Sequence, residues 1–323
     1  MESAISHLQC NRIQSLLVIN HLFPVFAIIV LGVVLKHCKM TNDTFLTTSD
    51  RLIYYIFFPA LLFWKIGGAD QTFSPESLRF YASALCAIML ICILSTIYIF
   101  LFRVNKFQAG TFSQSCYRFN TYIGMAVITT AWGEAGVAQF GILIAMAIPL
   151  ANVMAVITLI WFSSQALDWR RRLRITLAAL VKNPLIIACA AGIAYARGVN
   201  SFPLFVENTL KLGAVVTLPL ALISIGSSLT FQTLRRYYPL AIMGSVFKLI
   251  LLPAIGWFFM RQFGVAQQYY PVGMLFFTLP TSTIIYVLSA QLNSDTELAS
   301  AAIVLSTGLS FFSMSVVLWF FHG

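Results

Sequence analysis

Charge is what this sequence has least of. Asp, Glu, Lys and Arg make up 9% of its 323 residues, against roughly 25% in an ordinary soluble domain. So few charges cannot cover the surface of a water-soluble body of this length. That excludes a soluble enzyme, a disordered chain and a nucleic-acid binder. The net charge of +10 is therefore read as a topology signal. The densest basic run, Arg170-Arg171-Arg172 with Arg174, lies between apolar segments and anchors them. Enzyme signatures are missing too: there is no HExxH, no GxSxG and no Walker sequence. The six cysteines form no CxxC pair and have no His partner at ligand spacing, so they read as small core residues. No metal site and no cofactor are expected.

Apolar residues fill the rest, at 59%, with a mean hydropathy of +0.87. Runs without acidic or basic residues cover 13–35, 80–102, 137–167, 212–234, 262–294 and 298–323, and 237–260 is interrupted only by Lys248. Shorter runs at 52–64, 119–133 and 183–196 sit between charges that can snorkel to the interface. The run before Lys36-His37 lacks a small-residue cleavage site and is read as the first span. Accepting every run gives ten spans. With both termini outside, the inner connections carry 13 Lys and Arg, from Lys36 to Arg236, and the outer ones 6. That bias agrees with the positive-inside rule. Helices are expected, because the runs lack the strict alternation of a transmembrane barrel.

Sliding the chain by 160 residues places Pro24 on Pro184, Gly32 on Gly192, Pro59 on Pro219 and Asn120 on Pro280. The same offset maps the first five spans onto the last five. Five is odd, so the halves would enter the membrane in opposite directions, as in many secondary transporters. The domains are then 1–162 and 183–323, two five-helix repeats joined by a short basic cytoplasmic connection at 163–182.

Function in such a fold sits where helices break near the midplane. In the ninth span, Pro280 interrupts the hydrogen-bond ladder, and Thr281, Ser282 and Thr283 follow at once. In the fourth span, Asn120-Thr121-Tyr122-Ile123-Gly124 favours a kink. If the two breaks cross, half-helix N-termini converge on a point suited to a carboxylate. Lys248 is the only charge within a long run. It costs at least about 2.5 kcal/mol on insertion scales, so it needs a partner. Two roles stay open for it: counter-ion for an anionic substrate, or donor to the carbonyls of a broken neighbour helix.

The residues also resemble a known family. Leu22-Phe23-Pro24-Val25-Phe26, the stretch Tyr54 to Leu61, Asn120 to Gly124 with Gly133-Glu134-Ala135-Gly136, Lys182-Asn183-Pro184-Leu185, Leu218 to Gly226, Lys248 to Pro253, and Leu279-Pro280-Thr281 through Ser300 stand in the order and spacing of the auxin efflux carriers. The resemblance implies ten helices in two inverted repeats, with broken helices 4 and 9 crossing at the site. It implies transport of small organic anions such as auxin, malonate and related carboxylates, and it is compatible with a homodimer. The short connection between the halves is more like the bacterial branch. One departure is Ala126, where the family commonly has Pro two residues after the Gly of the fourth span.

The expectation is an all-α carrier in a bacterial inner membrane, exchanging a small organic anion by alternating access. Helices 3–5 and 8–10 would move against helices 1, 2, 6 and 7. Asn120, Thr121, Tyr122, Gly124, Pro280, Thr281, Ser282, Thr283 and Lys248 would line the substrate site. The partners are the substrate anion and the bilayer, with no nucleic acid; a coupling proton or sodium ion is left open. The rival readings are a sodium-coupled symporter of the bile-acid type and a membrane sensor or assembly protein that does not transport.

Overall fold

The computed structural model describes residues 2–68, 74–162, 170, 174, 177–178, 181–199, 201–230 and 234–321, with side chains from residue 19 onward. Among the described residues every regular element is helical. In chain order these are α1 Glu2–His37, α2 Asp43–Leu52, α3 Phe58–Gly67, α4 Pro75–Leu101, α5 Lys106–Tyr117, α6 Thr121–Phe162, α7 Pro184–Gly198, α8 Leu204–Ser228, α9 Leu234–Val246, α10 Leu252–Gln262, α11 Tyr270–Thr278, α12 Ile284–Gln291 and α13 Thr296–Phe321.

Local sequence explains where helices start and bend. Asn42, Ser74, Asn105 and Asn183 each cap a helix by accepting from a backbone N–H two or three residues on. Pro75 and Pro184 follow two of these caps, in the first turn, where no N–H is missed. Two π turns, Ile53–Phe57 and Phe247–Leu251, join α2 to α3 and α9 to α10. Each lies just before a proline, Pro59 or Pro253. The ring would strike the carbonyl four residues back, and a wider turn relieves the clash.

Among the described residues six stretches are long and apolar enough to cross a membrane: Ile19–His37, Pro75–Leu101, Lys106–Phe162, Leu204–Ser228, Leu234–Gln262 and Thr296–Phe321. The third has 57 residues. As one straight helix it would run about 85 Å, against a hydrocarbon core of about 30 Å. It is not straight. Residues 118–120 are non-helical, and Gly133 takes φ 57°, ψ −145°, a left-handed backbone that glycine adopts without steric cost.

The surface is unlike that of a soluble protein, and polar groups are enclosed within an apolar interior. Phe23, Val30, Ile93, Phe100, Leu212, Val215 and Phe312 are exposed, whereas Thr111, Ser113, Gln114, Ser306 and Ser310 are buried. Lipid is the solvent that such a surface fits. The helices pack in two sets. One holds α1, α3, α7 and α8; the other holds α4–α6 and α9–α13. In the first set α1 and α8 touch backbone to backbone. A Cβ on Gly32 would fall on the Ile223 carbonyl, one on Gly226 would fall on the Ile29 carbonyl, and Ser227 Oγ donates to Gly32 O at 2.9 Å. Small residues permit that approach.

The structure corrects the sequence reading in one place. The run 119–133 is not a short span by itself. It is the second half of a broken element whose first half is α5. Every residue of α5 from Ala109 to Tyr117 is buried, so its hydroxyls and amide face other helices and leave no apolar run.

Candidate functional site

The chain breaks twice inside the second helix set. Between α5 and α6, Arg118 is extended (φ −70°, ψ 146°) and Asn120 caps the new helix, its Oδ1 accepting from Tyr122 N and Ile123 N, both at 3.1 Å. Between α11 and α12, Leu279 is extended (φ −61°, ψ 146°) and residues 279–283 run without regular structure. The two breaks meet directly: Asn120 N donates to Pro280 O at 2.9 Å. These are the residues that the 160-residue offset superposes. Thr281 ties the crossing together, its N–H on Ser306 Oγ (3.1 Å) and its hydroxyl on Ser115 O (2.8 Å).

Breaking a helix strands carbonyls that lipid cannot satisfy. At the end of α11 two side chains answer them. Lys248 Nζ donates to Phe277 O at 3.2 Å, and Ser313 Oγ donates to Thr278 O at 3.2 Å. Lys248 is fully buried.

A cavity of about 620 Å³ opens beside the crossing, between the two helix sets. Of the nine residues picked from sequence, Thr121, Tyr122, Ser282 and Thr283 line it. Asn120, Pro280 and Thr281 lie behind the wall and shape the breaks. Gly124 packs where a Cβ would come within 2.6 Å of the Phe140 ring and 2.7 Å of Leu279; its bareness lets α6 press against the second break. Lys248 is absent from the lining too.

Sequence reasoning missed several lining residues: Asp50, Tyr54, Arg118, Asn152 and Ser224. Arg118 is one of the 13 charges that the positive-inside count assigns to the inner connections. It is instead 6% exposed at the first break, with Nη2 donating to Asn152 Oδ1 at 2.6 Å and Nη1 buried without a hydrogen-bond partner. Its signal was its place two residues before Asn120, in a stretch too short to be a complete span. Asp50 ends the polar lead-in to the 52–64 run and accepts a short hydrogen bond from Ser224 Oγ. Partial burial raises its carboxyl above the usual value, and the Ser224 bond lowers it by less.

Away from the cavity the two helix sets are tied again. Lys65 Nζ meets Glu134 Oε1 at 2.5 Å and lies 3.9 Å from the centre of the Trp64 ring. Lys65 is fifteen residues beyond Asp50, and Glu134 twelve beyond Tyr122, or about 20 Å along their helices. The cavity therefore belongs to one end of the helix assembly and this ion pair to the other.

The chain matches the model of a family described as membrane transport protein over residues 17–318. No curated protein matches it. The chain belongs to that family, the auxin efflux carriers, and is a multi-pass membrane protein of a transporter family and not of an enzyme family.

Proposed function

We propose that this membrane transport protein is a secondary carrier that moves a small organic anion by alternating access through the cavity beside the crossed breaks. The observation that carries the reading is the backbone contact Asn120 N to Pro280 O, with the 620 Å³ cavity beside it. Broken helices create polar backbone at a depth where it must line a binding cavity or be buried in protein. Here the first turn of α6 and the residues leading into α12 supply Thr121, Tyr122, Ser282 and Thr283 to one wall. Helix N-termini favour negative charge there. The opposite wall, with Asp50, Tyr54 and Ser224, comes from α2, its π turn and α8.

The two helix sets match the division expected of a moving bundle and a scaffold. Completing the six long stretches with α3, α7, the turn at Gly133 and the broken α11–α12 element gives ten crossings in two inverted repeats, 1–162 and 183–323, joined at 163–182. Asp50, Asn183 and Thr230 in its lining put the cavity on one side of the helix assembly. The positive-inside count assigns that side to the cytoplasm, with both termini outside, in a bacterial inner membrane.

Counterflow in proteoliposomes tests the function. Vesicles loaded with unlabelled malonate, malate or indole-acetate, or with an uncharged control, are offered the labelled compound. Accumulation driven by an anion and lost in Asn120→Ala is the expected result. Accumulation with the uncharged control alone would discard the anion assignment.

A further inference from the structure

The cavity is lined by a charged group with a buried nitrogen that has no hydrogen-bond partner. Arg118 is buried, lines the cavity, and is held on one side by Asn152. A guanidinium stays charged at any physiological pH and carries five N–H donors in a planar fork. Nη2 spends a donor on Asn152 Oδ1, whereas Nη1 has no partner. A buried cation with an unmet N–H is costly unless something in the cavity answers it. None of the three ion pairs among the described residues includes Arg118.

We propose that the unpartnered edge of Arg118 is the anion-binding subsite of this cavity and receives one carboxylate group of the substrate, with Asn152 as the positioning residue that holds the guanidinium plane. The inference rests on the carrier reading above and names the side chain that confers its charge preference. Lys248, the cation that sequence favours, lies off the cavity and is engaged by Phe277 O.

The other lining groups sharpen the ligand class. The hydroxyls of Tyr54, Thr121, Tyr122, Ser282 and Thr283 are neutral partners, and the remaining charged lining residues, Asp50 and Glu297, are acidic. Arg118 is the one basic residue among the described residues of the lining. A second carboxylate on the substrate would find no further cation among the described lining residues and would meet Asp50 and Glu297, the latter 3.8 Å from Arg236. The subsite therefore favours a monocarboxylate with an apolar or hydroxylated body over a dicarboxylate.

The test is binding to the detergent-solubilised full chain, read as the ligand-dependent rise of the unfolding temperature. The probes are acetate, lactate, indole-acetate and malonate. A monocarboxylate is expected to stabilise the native chain saturably, and more tightly than malonate does. Arg118→Gln should weaken that binding about ten- to a hundredfold, the loss expected for a charge-assisted hydrogen bond. Arg118→Lys keeps the charge but not the fork and should fall between. Asn152→Ala, which leaves the guanidinium in place, should weaken binding by less and keeps the test alive if Arg118→Gln does not fold. Unchanged affinity in folded Arg118→Gln, or no stabilisation of the native chain by any of the four acids, overturns the proposal. The carrier reading is judged separately by two-sided accessibility of the cavity. A cavity reached from both sides in a chain that binds no carboxylate sinks only the Arg118 subsite. A cavity reached from one side alone sinks the carrier reading.

Discussion

The two helix breaks are alike in backbone and opposite in chemistry. Each ends a helix with an extended residue, Arg118 or Leu279, and each starts a new one a few residues on. Each also has one buried cation nearby, Arg118 in the first and Lys248 beside the second. Lys248 is engaged by structure: it donates to the Phe277 carbonyl that the break leaves open. Arg118 lines the cavity and keeps a buried Nη1 without a partner. A repeat supplies matching scaffolds, and side chains then divide the labour. One break is held by its cation, while the other is left to act through its cation.

That contrast breaks most easily at the cations themselves. Lys248→Gln keeps a donor near Phe277 O and should change anion affinity by less than about threefold, against the ten- to hundredfold loss from Arg118→Gln. Equal losses in the same thermal-shift titration would erase the distinction.

A smaller effect separates the breaks by stability. Asn120→Ala removes the acceptor for Tyr122 N and Ile123 N and should cost about 1–2 kcal/mol. Pro280→Ala leaves the carbonyl that Asn120 N uses and should cost less, because the hydrogen bond across the crossing persists. Unfolding of the purified chain in graded denaturant ranks the two.

The cavity wall facing the breaks gives a pH signature. Asp50 lies outside the apolar run, and burial holds its folded carboxyl above the ordinary aspartate range. Ionising it in the folded chain therefore carries a penalty that is absent below about pH 4 and grows as pH rises through the raised value. Asp50→Asn keeps an acceptor for Ser224. It should raise the unfolding temperature relative to native protein at pH 7, with the difference closing near pH 4. A constant difference across that range would contradict the assignment.

The smallest expected change is at the far end. Glu134→Gln removes the ion pair with Lys65. Glu134 is mostly exposed, so the loss should be about 0.2–1 kcal/mol in unfolding free energy. Charge exchange, Lys65→Glu with Glu134→Lys, should restore part of it.

Much of this site was legible in the sequence. Pro280 followed by three hydroxylated residues marked the second break, because proline stops a helix for a local reason. Asn120 marked the first because a side-chain cap is local too. Their alignment in the repeat anticipated their contact. What could not be read depended on tertiary burial. α5 is polar and enclosed by other helices from Ala109 to Tyr117, so hydropathy carried no trace of it. Arg118 looked like a connection charge because it stands at the edge of a short apolar run. Lys248 drew attention because it is isolated in a long one, and its isolation said nothing about which way it faces. Asp50 and Ser224 are 174 residues apart in the chain, a pairing that no local pattern encodes.

The most direct test is the accessibility of the cavity wall from each side of the membrane. A cysteine placed at Ser282 in sealed vesicles of either orientation can be challenged with a membrane-impermeant maleimide, using the chain without the added cysteine as background. Alternating access predicts labelling from both sides, with a carboxylate ligand protecting the cysteine. Labelling from one side only, whatever the ligand, would contradict a carrier that works through the crossed breaks.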